Sequence, residues 1–171
     1  PSEEAIEEVV EAASDLARQN IGALIVLEHE TGLDDIIVTG TRTDAHVTDT
    51  MLRTIFYPGS PLHDGAVVIR GDRIVAAGCQ LPLSDNMAPG TTLGMRHRAA
   101  LGASEQSDAA VVVVSEELGT ISLCHRGKLT AGYKPDSLLE RLRDIFNIRA
   151  QEPGRLTATL GRVARAARKA R

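Results

Sequence analysis

The sequence predicts an α/β fold of the α+β kind, a central mixed β-sheet flanked by helices, and three observations carry that prediction. Short apolar runs such as Ala23-Leu24-Ile25-Val26-Leu27 are too brief for helices and suit strands covered on both faces. Apolar residues recur at helical spacing near both ends of 1–148: Ile6, Val9, Val10, Ala13, Leu16 and Ala17, then Leu138, Leu139, Leu142, Ile145 and Phe146. Between them, Gly71-Asp72 joins two apolar segments as a hairpin, so the sheet mixes strand directions. With 171 residues, 43% of them hydrophobic, the chain is long enough to bury the core of one globular domain.

Each element has its own signal. Glu3, Glu4, Glu7, Glu8 and Glu11 crowd the start of the first helix, 2–19, where the helix dipole favours negative charge. The run 23–27 follows as a strand, and 28–40 reads as a turn around Gly32 with a short Ile36-Ile37-Val38 strand. Thr48 can cap a brief helix carrying Met51, Leu52, Ile55 and Phe56, which stops before Pro58-Gly59. The hairpin takes 66–70 and 73–80. A loop with Pro82, Pro89 and Gly90 spans 81–94, and a helix follows at 95–104. Strands at 109–114 and 120–124 come next, Arg126-Gly127 turns the chain, and Pro135-Asp136 opens a last helix over 135–147. The catalytic candidate region is therefore one domain, 1–148, with a core over 21–130.

Residues 149–171 form a distinct basic tail. They hold seven basic residues against the single acid Glu152, a net of +6, which leaves −10 on 1–148 from the overall −4. Leu156, Leu160, Val163 and Ala167 could line one face of a helix there. So acidic a body excludes duplex nucleic acid as the expected partner, and two Tyr, two Phe and no Trp leave little on which single-stranded bases could stack. Cys79 and Cys124 sit inside apolar runs and read as reduced core residues of a cytosolic protein, with no disulfide expected. No stretch reaches the roughly 18 apolar residues of a membrane span. Pro1 in place of an initiator Met is expected of a domain cut from something longer or processed at its end.

Three loops at strand ends bear polar groups that a core does not need. Ser60-Pro61-Leu62-His63-Asp64-Gly65 brings an imidazole and a carboxylate to a strand entrance, where they can ligate a metal or take a proton, and Gly65 leaves room for a phosphate or sugar. Gly94-Met95-Arg96-His97-Arg98 opens a helix, so free N–H groups, two guanidiniums and an imidazole converge where an anion sits well. Ser115-Glu116-Glu117 places a hydroxyl and two carboxylates just past a buried strand, suited to a phosphate and a divalent cation. The P-loop pattern and the dinucleotide fingerprint are both absent.

In that order and spacing, His63-Asp64-Gly65-Ala66, Leu81-Pro82-Leu83-Ser84, Arg96-His97-Arg98 and Ser115-Glu116-Glu117 resemble the diadenylate cyclase (DAC) domain family over about 22–130. Ala23-Leu24-Ile25-Val26-Leu27-Glu28 and Thr31-Gly32-Leu33 further resemble its membrane-tethered, CdaA-type class, whose cytosolic catalytic domain follows an anchor. The resemblance implies a DAC-like mixed sheet that condenses two ATP into cyclic di-AMP and two pyrophosphates across a face-to-face homodimer. It implies that Asp64, with Gly65 and Ala66, prepares the 3′-hydroxyl. Gly94, Met95, Arg96, His97, Arg98 and Ser115 would hold the triphosphate, and Gln80 and Leu81 would border the adenine. His63, Asp64, Glu116 and Glu117 are the candidates for a divalent metal, Mn2+, Mg2+ or Co2+. Membrane contact would come only through the missing anchor or the basic tail. Two positions depart from the family: Gln80 replaces a frequent aromatic, and Met95 replaces the Thr of a Gly-Thr-Arg-His-Arg motif. Two rival readings follow, a catalytically impaired nucleotide-binding module of the same fold and a metal phosphohydrolase using His63 and Asp64.

Overall fold

The computed structural model describes residues 1–87 and 93–148, so the basic tail with its expected helix and part of the 81–94 loop lie outside the described residues. Its centre is a seven-stranded sheet of β1 (Ala23–Leu27), β2 (Thr41–His46), β3 (Ala66–Arg70), β4 (Arg73–Cys79), β5 (Ala110–Val114), β6 (Ile121–His125) and β7 (Lys128–Ala131). Their order across the sheet is β2-β4-β3-β1-β5-β6-β7. Only β1 and β3 run parallel and every other neighbouring pair is antiparallel, so the sheet is mixed as the hairpin predicts.

Side chains that alternate along the central strands feed two separate cores. Ile25, Leu27, Val67, Ile69, Val112 and Val114 point to one face, where they meet α1 (Glu3–Arg18), α3 (Asp49–Phe56) and α5 (Pro135–Ile145). Leu24, Val26, Ala66, Val68, Val111 and Val113 point to the other, where they meet α2 (Asp34–Ile37) and α4 (Met95–Gln106). Three helices, α1, α3 and α5, begin at starts the sequence marks. Ser2 Oγ accepts the Ala5 N–H at 3.1 Å and Thr48 Oγ1 accepts the Met51 N–H at 3.1 Å, while Pro135 occupies the first turn of α5. Both Cys79 and Cys124 are buried free thiols, pushed by burial up to about 11 and about 12.

Two parts of the secondary structure differ from the sequence prediction. The expected Ile36-Ile37-Val38 strand is instead the end of α2, because Leu33 and Ile37, four residues apart, bury together while Val38 is left 78% exposed. Glu28 and Arg70 anchor that turn: the Glu28 carboxylate accepts the Leu33 N–H at 3.0 Å and pairs with Arg70, which also reaches Asp34 at 2.8 Å. The edge strands β2 and β7 carry no strand signal in the sequence, since most of their residues are exposed and polar.

Topology decides where the chemistry-bearing loops go. Because β1 and β3 are parallel, their entrances share one end of the sheet, and antiparallel pairing brings the exits of β4 and β5 to that same end. The registers Ala23↔Val114 and Ala66↔Cys79 make this concrete. Asp64-Gly65, Gln80-Leu81 and Ser115-Glu116-Glu117 therefore emerge side by side.

Candidate active site

At that sheet end lies a cavity of about 610 Å³, within the range of small-molecule sites. Asp64 and Gly65 line it from the β3 entrance, Gln80 and Leu81 from the β4 exit, Gly94, Met95, Arg96 and His97 from the start of α4, and Ser115, Glu116 and Glu117 from the β5 exit. Three loops far apart in the sequence thus form one wall system. Leu24, Leu83, Leu93 and Leu118 complete it with apolar surface that the sequence reading did not assign to the site. Leu83 and Leu118 are 43% and 65% exposed, and their place on the cavity wall is visible only in three dimensions.

The first turn of α4 presents hydrogen-bond donors to the cavity. Gly94 is its N-cap and supplies no side-chain hydrogen bond, and a Cβ placed there would meet nothing within 4 Å. The leading N–H groups of this 12-residue helix consequently face the cavity without a capping oxygen. His97 is 4% exposed, and its Nε2 is buried with no hydrogen-bond partner. Burial, and then the neighbouring Arg96 charge, holds the His97 imidazole below its usual range, so it is neutral near pH 7. A buried polar atom left unpaired beside a cavity can be satisfied by a water or by a ligand atom.

Arg96 and Arg98 part company. Arg96 Nη1 donates to Glu116 Oε2 at 3.1 Å inside the cavity wall. Arg98 turns the other way: its Nε donates to the Ser84 carbonyl at 2.7 Å and its guanidinium reaches Asp85 at 3.4 Å, so it anchors the 81–87 loop and does not line the cavity. Ser115 is buried, and its Oγ accepts the Leu118 N–H at 3.1 Å, which leaves the hydroxyl proton available to a phosphate oxygen. Met95 is 62% exposed at the cavity wall, not packed on α4. Gly65 adopts φ +118°, and the side chain it lacks would collide with the Gly78-Cys79 backbone, within 2.8 Å of Cys79 O. The room it makes is thus for β4, which lets Asp64 turn outward.

The remaining predicted positions are Ala66, buried as the first residue of β3, and His63. His63 Nδ1 lies 2.6 Å from the Ser60 carbonyl oxygen and donates to it, which leaves Nε2 as its ligating atom. Neither Ala66 nor His63 lines the cavity. The metal candidates fit a divalent cation by donor chemistry, with Asp64, Glu116 and Glu117 offering exposed carboxylates to the space where a triphosphate would complete the ligand set. Among the described residues no three of these four candidates bring ligand atoms within 4.8 Å of one another. Glu11, Asp15 and Asp49 do cluster that closely, but Asp15 and Asp49 already pair with Arg53, and Asp15 also with Arg18.

Known proteins resemble this chain in sequence and in fold. Residues 10–129 match the DAC family, described as DisA bacterial checkpoint controller nucleotide-binding. The diadenylate cyclase of Listeria monocytogenes strain 10403S is 42% identical over 149 residues, 86% of this chain and 55% of that protein. The cyclic di-AMP synthase CdaA of Bacillus subtilis is 42% identical over 150 residues, 85% of this chain and 55% of that protein. The chain thus spans about half the length of these curated relatives. Among solved structures, a double mutant of DacA from Staphylococcus aureus superposes with a TM-score of 0.81 at 46% identity, covering 84% of this chain and 96% of that one. A hypothetical membrane spanning protein from Bacillus cereus superposes with a TM-score of 0.71 at 45% identity, covering 74% of this chain and 62% of that one. With the family match across most of its length and the same sheet beneath it, this chain belongs to the DAC domain family.

Proposed function

We propose that the chain is the catalytic domain of a diadenylate cyclase, a nucleotidyltransferase that condenses two ATP into cyclic di-AMP and two pyrophosphates. The observation that carries this reading is the convergence of Asp64, the uncapped start of α4 and Ser115-Glu116-Glu117 on one nucleotide-sized cavity. The names of the Listeria and Bacillus subtilis relatives support the same substrate and product.

Each residue then has a task. The N–H groups that follow Gly94, with Arg96, His97 and Ser115, grip the triphosphate, and Arg98 steadies the loop that carries Leu81 and Leu83. No Phe, Tyr or Trp is among the described residues lining the cavity, so Gln80, Leu81 and Leu83 hold the adenine by apolar contact in place of stacking. Asp64 takes the proton of a 3′-hydroxyl as its oxygen bonds to the α-phosphorus of the other ATP and the bond to pyrophosphate breaks. A divalent cation held by two of His63, Asp64, Glu116 and Glu117 would offset the negative charge gathered on the phosphates.

One cavity of this size holds one ATP, whereas the reaction joins two, so a second copy must face the first with Asp64 exposed between them. Similarity to CdaA and to the Bacillus cereus membrane spanning protein supports placing the domain in the cytoplasm as part of a longer, membrane-anchored chain. The exposed Met95 thioether favours one alternative, a nucleotide-binding module of impaired activity, because it supplies no hydroxyl to the phosphates. Incubation with ATP and Mn2+ followed by chromatography separates the readings. Cyclic di-AMP and pyrophosphate, formed with a specific activity that rises with protein concentration, are expected. Bound but unconverted ATP would install the impaired module, and inorganic phosphate as the product a phosphohydrolase.

A further inference from the structure

The immediate surroundings of Arg96 contain a residue that belongs to none of the three site loops. Gly22 is the buried residue just before β1, and it occupies the same sheet end as the Ser115-Glu116 exit, since Ala23 pairs with Val114. A Cβ at Gly22 would lie 2.8 Å from Arg96 Nε and nearer still to Cζ and Nη1. The three nearest atoms to that position are all guanidinium, the end of a flexible side chain. Gly22 does not have the positive φ that would reserve it for glycine, so an alanine fits the backbone but not the space.

We propose that Gly22 is a positioning residue: its missing side chain is the seat on which the Arg96 guanidinium lies, aimed at Glu116 and the cavity. The proposal rests on Arg96 being a phosphate ligand. A guanidinium recognises phosphate through a planar fork, so its orientation matters as well as its charge. The Glu116 partner is 65% exposed, and an exposed ion pair holds a long side chain only weakly. The packed contact with the Gly22 backbone supplies what the ion pair does not, a surface against which the planar group rests. Gly22 thereby joins the N-terminal edge of β1 to the triphosphate grip, although it carries no group able to touch substrate.

The test is a double-mutant cycle on the full chain with Gly22→Ala and Arg96→Ala, read by ATP turnover with Mn2+, by the dissociation constant for ATP, and by the unfolding temperature without ligand. Gly22→Ala should weaken ATP binding about tenfold or more, the scale of one charge-assisted hydrogen bond, with the unfolding temperature unchanged. In the Arg96→Ala background it should do nothing further to binding, because the side chain it displaces is gone. A Gly22→Ala variant that binds and turns over ATP normally, beside an Arg96→Ala variant that does not, would overturn the seat and leave the phosphate role of Arg96 standing. Normal ATP binding by Arg96→Ala would instead overturn that phosphate role, and the seat with it. A fall in unfolding temperature that Gly22→Ala produces in both backgrounds would also overturn the seat, by showing that the glycine serves the fold.

Discussion

The two faces of the central sheet are covered differently. On one, α1, α3 and α5 bring large side chains such as Ile6, Leu16, Phe56, Leu138 and Leu142, each essentially inaccessible, and the layer is closed. On the other, α4 joins the core through Ala99, Ala100, Leu101 and Ala103, three of them alanines. A side chain at Gly102 would run into the loop backbone, 2.7 Å from Pro82 C and 2.9 Å from Leu83 C, so helix and loop touch main chain to main chain. Small residues draw the body of α4 in and leave its polar first turn, Arg96 and His97, at the sheet end where the cavity lies. Stability is concentrated where long apolar side chains interlock, and binding chemistry where they do not.

Substitutions on the closed face should act on folding alone. Phe56→Ala, far from the cavity lining, should cost about 3–5 kcal/mol of unfolding free energy by denaturant titration, with turnover per folded molecule unchanged. Loss of turnover in the folded fraction would break the separation. On the open face the reverse is expected. Met95→Thr should add a charge-assisted hydrogen bond of about 1.5–3 kcal/mol to bound phosphate, one to two decades in ATP turnover or affinity, without moving the ligand-free unfolding temperature. Because Met95 is exposed, a loss of stability in that variant would mean that the thioether packs against something.

The open face also has a pH signature. Burial, aided by the Arg96 charge, lowers the His97 pKa in the folded state. Below the unfolded value of about 6.5 the unfolded chain binds a proton that the folded chain refuses. Stability is therefore complete above about pH 6.5 and declines as the pH falls toward the folded pKa, by at most about 1.4 kcal/mol per pH unit for one histidine. His125, lowered chiefly by burial, adds a second slope of the same sign. Urea unfolding between pH 7.5 and 5.5 should show this decline, and His97→Gln should remove part of it. An identical slope in the variant would mean that His97 takes up its proton in the folded state.

What could be read from the sequence follows the same division. Strands buried on both faces, such as β1 and β5, announce themselves as unbroken apolar runs, and capped amphipathic helices such as α1 and α3 announce their starts. The edges do not. The β2 segment Thr41–His46 and the β7 segment Lys128–Ala131 pair on one side only and stay polar, and the isoleucines of α2 mimic a strand until the burial of Leu33 and Ile37 shows the helical spacing. In the site, Asp64, Arg96, His97, Ser115, Glu116 and Glu117 were legible because polar groups at strand ends have few structural reasons to be there. The different directions of Arg96 and Arg98 were not legible, since adjacency in a motif says nothing of which way a side chain turns in the first turn of a helix. The apolar wall of Leu83, Leu93 and Leu118 escaped notice because an isolated leucine in a loop carries no pattern.

If the open face performs nucleotidyl transfer while the closed face holds the fold, a substitution at Asp64 separates the two. Asp64 is exposed in the cavity wall, so Asp64→Asn removes the proton acceptor and one candidate metal ligand without touching the core. Cyclic di-AMP formation from ATP and denaturant unfolding should be measured on this one variant beside the unaltered protein. Expected are an unchanged unfolding midpoint, retained ATP binding and a fall in turnover of roughly 10²-fold or more. Turnover equal to that of the unaltered protein would remove Asp64 from the reaction and end that division of labour between the faces.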